Sequence, residues 1–259
     1  MSTPAKPIRP GFHTVTPYVA VREAPELIEF VRQAFGAEGK ILGTGSQGGI
    51  HAEYRIGDSM VMIGGGAQWK GPSRPVALHL YVPDADAAYE RALRAGATSI
   101  YEPTDQPYGD REAGVRDLAG NLWFIGTHRG ASHIPRGMRT VTPHLFAHGT
   151  PKMIDFLKAA FAAVEEVCEM APDGAVVHAR VRIGDSVVEL GEARPEWPPM
   201  PATIMLYVDD ADAWYRRAVR AGATSLAEPA DQAYGAGVAA VTDNFDNQWY
   251  LATPLREKA

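Results

Sequence analysis

The chain is expected to fold as an α+β protein built from four βαβββ modules in two tandem domains. Three observations predict this. Arg94-Ala95-Gly96-Ala97-Thr98-Ser99 recurs letter for letter as Arg220-Ala221-Gly222-Ala223-Thr224-Ser225, a shift of 126 residues in a chain of 259. The same shift carries Thr14-Val15-Thr16-Pro17 onto Thr140-Val141-Thr142-Pro143 and Leu80-Tyr81-Val82 onto Leu206-Tyr207-Val208. Within each half, a strand, an amphipathic helix and three further strands are spelled out twice. A period this long marks a duplicated domain, because solenoid repeats run to roughly 20–50 residues, and each copy has the usual size of a domain with its own core. The expected organisation is a tail over 1–11, a first domain over 12–129, a linker over 130–137 and a second domain over 138–259.

Taken in order, Thr14 to Val21 reads as a strand, and the run from Pro25 to Phe35 has apolar residues at helical spacing with Pro in its first turn. The second copy repeats this, with Thr150 placed as an N-cap and Ile154, Leu157 and Phe161 as the buried stripe. Strands are expected over 40–44, 50–56 and 60–63, the last two joined by a tight Gly57-Asp58 turn. A strand over 78–82 follows, then a helix capped by Asp84 or Asp86 and stopped by Gly96, then strands ending at 122–125. Gly130 to Gly137, with Pro135 between, reads as the connection of the two domains.

The chain is 46% hydrophobic with a formal net charge of −6 and no basic run, which argues against a nucleic-acid surface. Its apolar stretches are of strand length, so no membrane span or secretory segment is expected and a cytoplasmic location follows. Cys168, the one cysteine, has no partner for an intrachain disulfide, and its Val-Cys-Glu setting suggests a packed strand residue rather than a nucleophile. Gly64-Gly65-Gly66 lacks the Lys-Ser/Thr ending of a phosphate loop.

Further motifs narrow the comparison: Thr16-Pro17-Tyr18, Ala34-Phe35-Gly36-Ala37-Glu38, His51-Ala52-Glu53, Arg55-Ile56-Gly57-Asp58-Ser59, Gly109-Asp110-Arg111, and Asp117 with Gly120-Asn121 and Trp123. Together with the four modules they resemble the vicinal oxygen chelate superfamily of glyoxalases, bleomycin-resistance proteins and dioxygenases, in its PhnB-like branch. The resemblance implies sheets curled around cavities, with divalent-metal ligands on the first and last strands of each module. The matching positions here are Thr16, Met62, Ala77 and Phe124, then Thr142, Glu189, Thr203 and Tyr250. Of these only Glu189 coordinates a metal well. A displaced site remains open, because residues two apart on a strand share a face. His144 then joins Thr142 in facing the cavity, and His178 and Arg180 lie opposite an apolar face of Val177, Ala179, Val181 and Ile183. His144, His178 and Glu189 could hold one zinc, nickel or iron ion in the second domain; as metal-free residues they would serve as polar groups lining a pocket or a sheet edge.

In the first domain His51 and Glu53 share a face, and such a pair can act as a general base and its orienter or simply hold neighbouring strands together. Tyr18, Met62, His79, Tyr81 and Phe124 are expected to line the first cavity, and Met205, Tyr207 and Tyr250 the second. Such Met- and aromatic-rich walls suit a hydrophobic or planar molecule. Tyr108 and Tyr234 are candidate aromatic lids. Arg111 could clamp an anion, or be held in an ion pair with Asp110 or Asp117. Two functions follow: a protein that binds a small, partly aromatic or oxygen-rich molecule, or a metal-dependent lyase, isomerase or dioxygenase; glutathione-dependent glyoxalase activity is disfavoured by the missing ligands. The expected partner is a small molecule, with no nucleic acid or membrane, and a covalent pair of domains is expected to be a monomer.

Overall fold

The computed structural model describes residues 8–45 and 48–254, and the four modules appear in the expected order. The first is β1 (Val15–Val21), α1 (Ala24–Phe35), β2 (Glu38–Thr44), β3 (Ile50–Ile56) and β4 (Ser59–Gly65). The second is β5 (Ala77–Tyr81), α2 (Ala85–Arg94), β6 (Thr98–Asp105), β7 (Asp110–Arg116) and β8 (Leu122–His128). The third is β9 (Val141–Ala147), α3 (Thr150–Phe161), β10 (Val164–Met170), β11 (Val176–Ile183) and β12 (Ser186–Glu192). The fourth is β13 (Thr203–Tyr207), α4 (Ala211–Arg220), β14 (Thr224–Gln232), β15 (Ala236–Thr242) and β16 (Gln248–Pro254). Among the described residues, no helix is long and apolar enough to cross a membrane.

The chain forms two compact units, Pro17–His144 and Met1–Thr16 with Leu145–Ala259, so the division falls within β1 and within β9. In the Pro17–His144 unit the strand orders are β1-β4-β3-β2 and β5-β8-β7-β6, with the start of β9 beside β5. The helix of each module carries the chain across to a parallel pairing, β1 with β4 and β5 with β8, and the remaining strands form an antiparallel meander. In the other unit β13 and β16 are likewise parallel beside the β14-β15 pair, and β10, β11 and β12 form a meander.

Strand alternation sets the two faces. Leu78, Leu80, Val115, Trp123 and Ile125 are all at most 1% exposed, and Phe30 and Phe35 of α1 lie against Trp123. The other unit repeats this with Ile204, Leu206, Val241, Trp249 and Leu251 fully buried and Phe161 of α3 against Trp249. The intervening positions of each strand form a second face turned away from the helices.

Each Gly-Asp hairpin turn does more than reverse the chain. Asp58 accepts a bond from the Thr140 amide and Ser59 one from the Val141 amide, tying the start of β9 to the β3–β4 turn. Asp185 and Ser186 do the same for the Thr14 and Val15 amides, with His13 Nδ1 2.8 Å from Asp185 Oδ2. Burial pushes the Asp185 carboxyl up, but the Thr14 amide, His13 ring and Ser186 hydroxyl outweigh it and hold the group well below the usual carboxylate range. Asp58 is lowered in the same way, burial being outweighed mainly by the Thr140 amide and the Ser59 hydroxyl. A carboxyl whose folded-state value is depressed contributes stability above its unfolded value, about pH 4, and loses that contribution as pH falls through the folded value. The double variant Asp58→Asn/Asp185→Asn is therefore expected to lose less stability than wild type between about pH 4 and pH 2. Acid limbs of equal steepness in urea titrations at stepped pH would contradict this.

Three local expectations are corrected and one left open is resolved. Helix α3 starts at Thr150 itself with Gly149 as its cap residue at φ 81. The Thr150 hydroxyl donates to the Ala147 and Gly191 carbonyls, while the Glu192 carboxylate takes the Gly149 and Thr150 amides from outside the helix. Asp84, not Asp86, caps α2 through the Ala87 amide. Val177 is 53% exposed because a register shift between Glu169 and Met170 places Val176 inward instead. Cys168 lies on a strand as expected but is exposed rather than packed, since β10 is solvent-facing along nearly all its length; slight local desolvation and then nearby Glu165 raise its thiol.

Candidate functional site

A dense polar cluster lies on the helix-free face of β5–β8, inside the Pro17–His144 unit. Alternation puts His79 and Tyr81 of β5, Asp110 and Glu112 of β7 and Phe124 and His128 of β8 on this face. Gly114 and Gly126 make room for the rings: a Cβ on Gly114 would stand 2.5 Å from Tyr101 Cε1, and one on Gly126 would stand 2.9 Å from His79 Nε2.

Glu112, 8% exposed, is the centre of the cluster. Tyr101 donates to Glu112 Oε1 at 2.6 Å and Tyr108 to Glu112 Oε2 at 3.1 Å, while His79 Nε2 lies 3.3 Å from the same Oε2. Burial, and then the Glu112 charge, push the Tyr101 phenol well above its ordinary value, so it stays a donor at any working pH. Beside it, Asp110 is 3% exposed, accepts from Tyr81 at 3.1 Å and lies 2.6 Å from His128 Nδ1. The His79 and Tyr81 rings stack at 4.3 Å and join the two halves of the network. Such a face offers two buried carboxylates, two imidazoles and several phenols, a set able to receive and orient hydroxyl, enol or carbonyl groups.

The duplicated copy shows that the fold does not require this network. At the shift of 126, His79 becomes Met205, Tyr101 becomes Ala227, Asp110 becomes Ala236, Glu112 becomes Val238 and His128 becomes Pro254. The same module folds with every one of these polar groups replaced.

Other candidate residues fall as follows. Tyr18 OH is 3.2 Å from His51 Nδ1, and His51 Nε2 is 3.8 Å from Glu53 Oε1, so these three adjoin on the β1–β4 face. Met62 is 3% exposed and pairs with Tyr18 along β1 and β4. Phe124 lies 5.6 Å from the His144 ring. Arg111 alternates away from Asp110 and Glu112; it grips Asp86 with two nitrogens and Asp105 with a third. It is thus held in an intradomain ion pair, with partners from α2 and β6 rather than Asp110 or Asp117. Tyr234 is 73% exposed and Tyr108 61%, and Tyr108 alone of the two has a carboxylate beneath it. Met205 and Tyr250 are neighbours across the β13–β16 pairing, with Tyr207 at the end of β13.

Of the three residues expected to hold a metal, His178 Nε2 comes to 4.0 Å from Glu189 Oε1 across β11 and β12, and His144 pairs with Ala77 at the start of β9. Among the described residues no three His, Cys, Asp or Glu side chains converge as a metal cage.

Sequence reasoning missed Glu112, Tyr101, Asp110 and His128 as a functional set. The signal was present: read against the second copy, these polar residues are lost together while the strand-forming residues around them persist.

A sequence model of the Glyoxalase/Bleomycin resistance protein/Dioxygenase superfamily matches residues 11–125 and 141–251. An uncharacterized protein of Mycobacterium bovis is 36% identical over 128 residues, 45% of this chain and 84% of that protein. A counterpart from Mycobacterium tuberculosis H37Rv has the same identity over 75% of its length and 45% of this chain. A mutant of glyoxalase I from Zea mays superposes with a TM-score of 0.72 at 14% identity, covering 92% of this chain and 91% of that one. A putative dioxygenase from Bacillus subtilis gives 0.63 at 14%, covering 92% and 84%. At these identities the likeness to the solved structures is one of fold.

Proposed function

Because this chain belongs to the glyoxalase/bleomycin resistance protein/dioxygenase superfamily, we propose that it binds a small, partly aromatic or oxygen-rich molecule on the helix-free face of β5–β8, oriented by Glu112 and its partners. The observation that carries this reading is the Glu112 cluster itself. A buried carboxylate served by two phenols and an imidazole is costly to assemble, and the sister module keeps only the counterpart of Tyr108, Tyr234, having lost the carboxylate, the imidazole and the other phenol. A network that folding does not need is best explained by a ligand. Oxygen substituents of the ligand would exchange hydrogen bonds with Glu112, His79 and Tyr108, and its apolar part would rest on Phe124 and the Tyr81 ring.

We place the chain in the PhnB-like branch on the motifs quoted above, and take it to act as a monomer. Metal-dependent chemistry through His144, His178 and Glu189 has less behind it, its support being the 4.0 Å approach of His178 Nε2 to Glu189 Oε1. The Tyr18–His51–Glu53 group supports a second reading, proton transfer with His51 as the base, although 3.8 Å to Glu53 is an ion-pair rather than a hydrogen-bond distance.

The test is a thermal-shift screen of catechols, enediols, hydroxy acids and small phenols on the wild-type chain, followed by titration calorimetry of hits on Tyr101→Ala/Glu112→Val, the pair found in the sister module. Changing both together avoids leaving a buried phenol unsatisfied. Hits are expected to bind this variant at least about tenfold more weakly, the loss of one charge-assisted hydrogen bond or more. Undiminished binding would sink the assignment of the site.

A further inference from the structure

His128, the last residue of β8, has no part in the binding role given to Glu112. Its Nδ1 lies 2.6 Å from Oδ1 of Asp110, which is directly opposite on β7 and 3% exposed. A carboxylate at Nδ1 holds the ring proton there and turns the Nε2 lone pair outward. Tyr81 donates to the other oxygen of Asp110, so both carboxylate oxygens are committed. The backbone is pinned on both sides of the ring: the His128 amide donates to the His133 carbonyl, and the Arg129 amide to the Gly109 carbonyl.

The outer nitrogen is left uncovered. The His128 side chain is 31% exposed, and among the described residues Nε2 makes no hydrogen bond. Where the chain passes this atom it has a glycine: a Cβ on Gly130 would stand 2.6 Å from Nε2 and 2.8 Å from Cδ2. In the sister module Ala236 and Pro254 replace Asp110 and His128 and pair in the same register, so folding does not call for the dyad.

We infer that Asp110 and His128 form a general-base dyad that activates water to hydrolyse a neutral, activated acyl compound, an aryl or enol ester. Among the described residues no hydroxyl or thiol bonds to Nε2, so the base serves no nucleophile of the protein and takes its proton from water at the open rim. Asp110 and Glu112 are both buried and lie two residues apart on β7, and their charges repel carboxylate and phosphate substrates. One base acting through water suits an acyl carbon whose leaving oxygen departs as a stabilised phenolate or enolate. His128 Nε2 takes a proton from water as the water oxygen adds to the acyl carbon. The bond from that carbon to the phenol oxygen then breaks, and Nε2 returns the proton to the departing oxygen, giving a carboxylic acid and a phenol. His128 is the catalytic residue and Asp110 a positioning residue. The ester sits where the Glu112 reading, on which this proposal rests, seats its ligand: Tyr81 stacks on His79 and bonds Asp110, so it spans from that cluster to the dyad.

The experiment follows 4-nitrophenol release from 4-nitrophenyl acetate by the full chain, with kcat and KM measured separately. Turnover is expected to exceed that of free imidazole at the same concentration and to slow in deuterium oxide. His128→Gln is expected to lower kcat at least about a hundredfold, and Asp110→Asn to lower kcat with KM unchanged. Gly130→Ala alters neither member of the dyad and is expected to lower kcat by covering Nε2. Gly130 is exposed, so this variant still reports on the dyad if Asp110→Asn does not fold. Turnover no faster than imidazole, or a kcat unmoved by His128→Gln, would overturn the proposal. Tyr101→Ala/Glu112→Val separates the two readings, since it is expected to raise KM. An unchanged KM with the His128 dependence intact would sink the Glu112 reading and keep the dyad, whereas phenols that bind without any ester turnover would sink the dyad alone.

Discussion

Asp117→Ala is expected to lower the melting temperature of the Pro17–His144 unit by roughly 12–20 °C, corresponding to about 4–6 kcal/mol at the usual few degrees per kcal/mol for a domain of this size. Asp117 follows β7, where the chain must turn tightly to start β8. Its Oδ1 accepts the Ala119 and Asn121 amides, and its Oδ2 accepts Asn121 Nδ2 at 2.8 Å and Trp123 Nε1 at 2.9 Å. Asn121 passes the constraint on by accepting the Val76 amide, just before β5. Removing the carboxylate leaves buried donors unpaired, and each costs about 1–3 kcal/mol, with some relief from water entering the gap. Asp243 repeats the arrangement with Phe245, Asn247 and Trp249, so Asp243→Ala is expected to act equally on the other unit. Calorimetric scans of either variant showing a loss under about 5 °C would contradict the account.

Phe161→Ala is expected to cost about 3–5 kcal/mol, and its repeat counterpart Phe35→Ala clearly less. Phe161 is 1% exposed and touches Phe156, Trp214 and Trp249. Phe35 reaches Phe30 and Trp123 but is only half-buried. The difference comes from α4: Trp214 stands where α2 has Ala88, and its ring stacks on Phe161 with Arg217 over its outer side. Urea titrations with unchanged slope would give both losses directly. Equal losses at the two positions would show that the Trp214 roof contributes nothing.

Much of the fold was legible because its signals are local. Alternation along β3, β5 and β8, the Gly57-Asp58 turn, Pro25 in the first turn of α1 and the duplication each act through neighbouring residues, and each element appeared where these signals put it. Expectations failed where a distant group intervened. Thr150 has the chemistry of an N-cap, yet Glu192 from another strand takes the free amides of α3. Val177 has the right parity for the core until a bulge shifts the strand by one. Arg111 is expected to pair with Asp110 or Asp117, but its partners are Asp86 and Asp105, 25 and 6 residues away, which pattern could not choose.

The candidate site divides along the same line. By itself the sequence determined the module architecture, the duplication and the faces on which His79, Tyr81 and Phe124 lie, because a strand's two-residue period and a letter-for-letter repeat need no tertiary information. Only the tertiary structure decided that Tyr101, Tyr108 and His79 meet on one carboxylate and that Asp110 joins Tyr81 to His128. Side chains from β5, β6, β7 and β8 converge through parallel pairing and bulged registers between strands far apart in the chain, and hydrogen bonding is decided by distances of a few tenths of an ångström that no periodicity encodes.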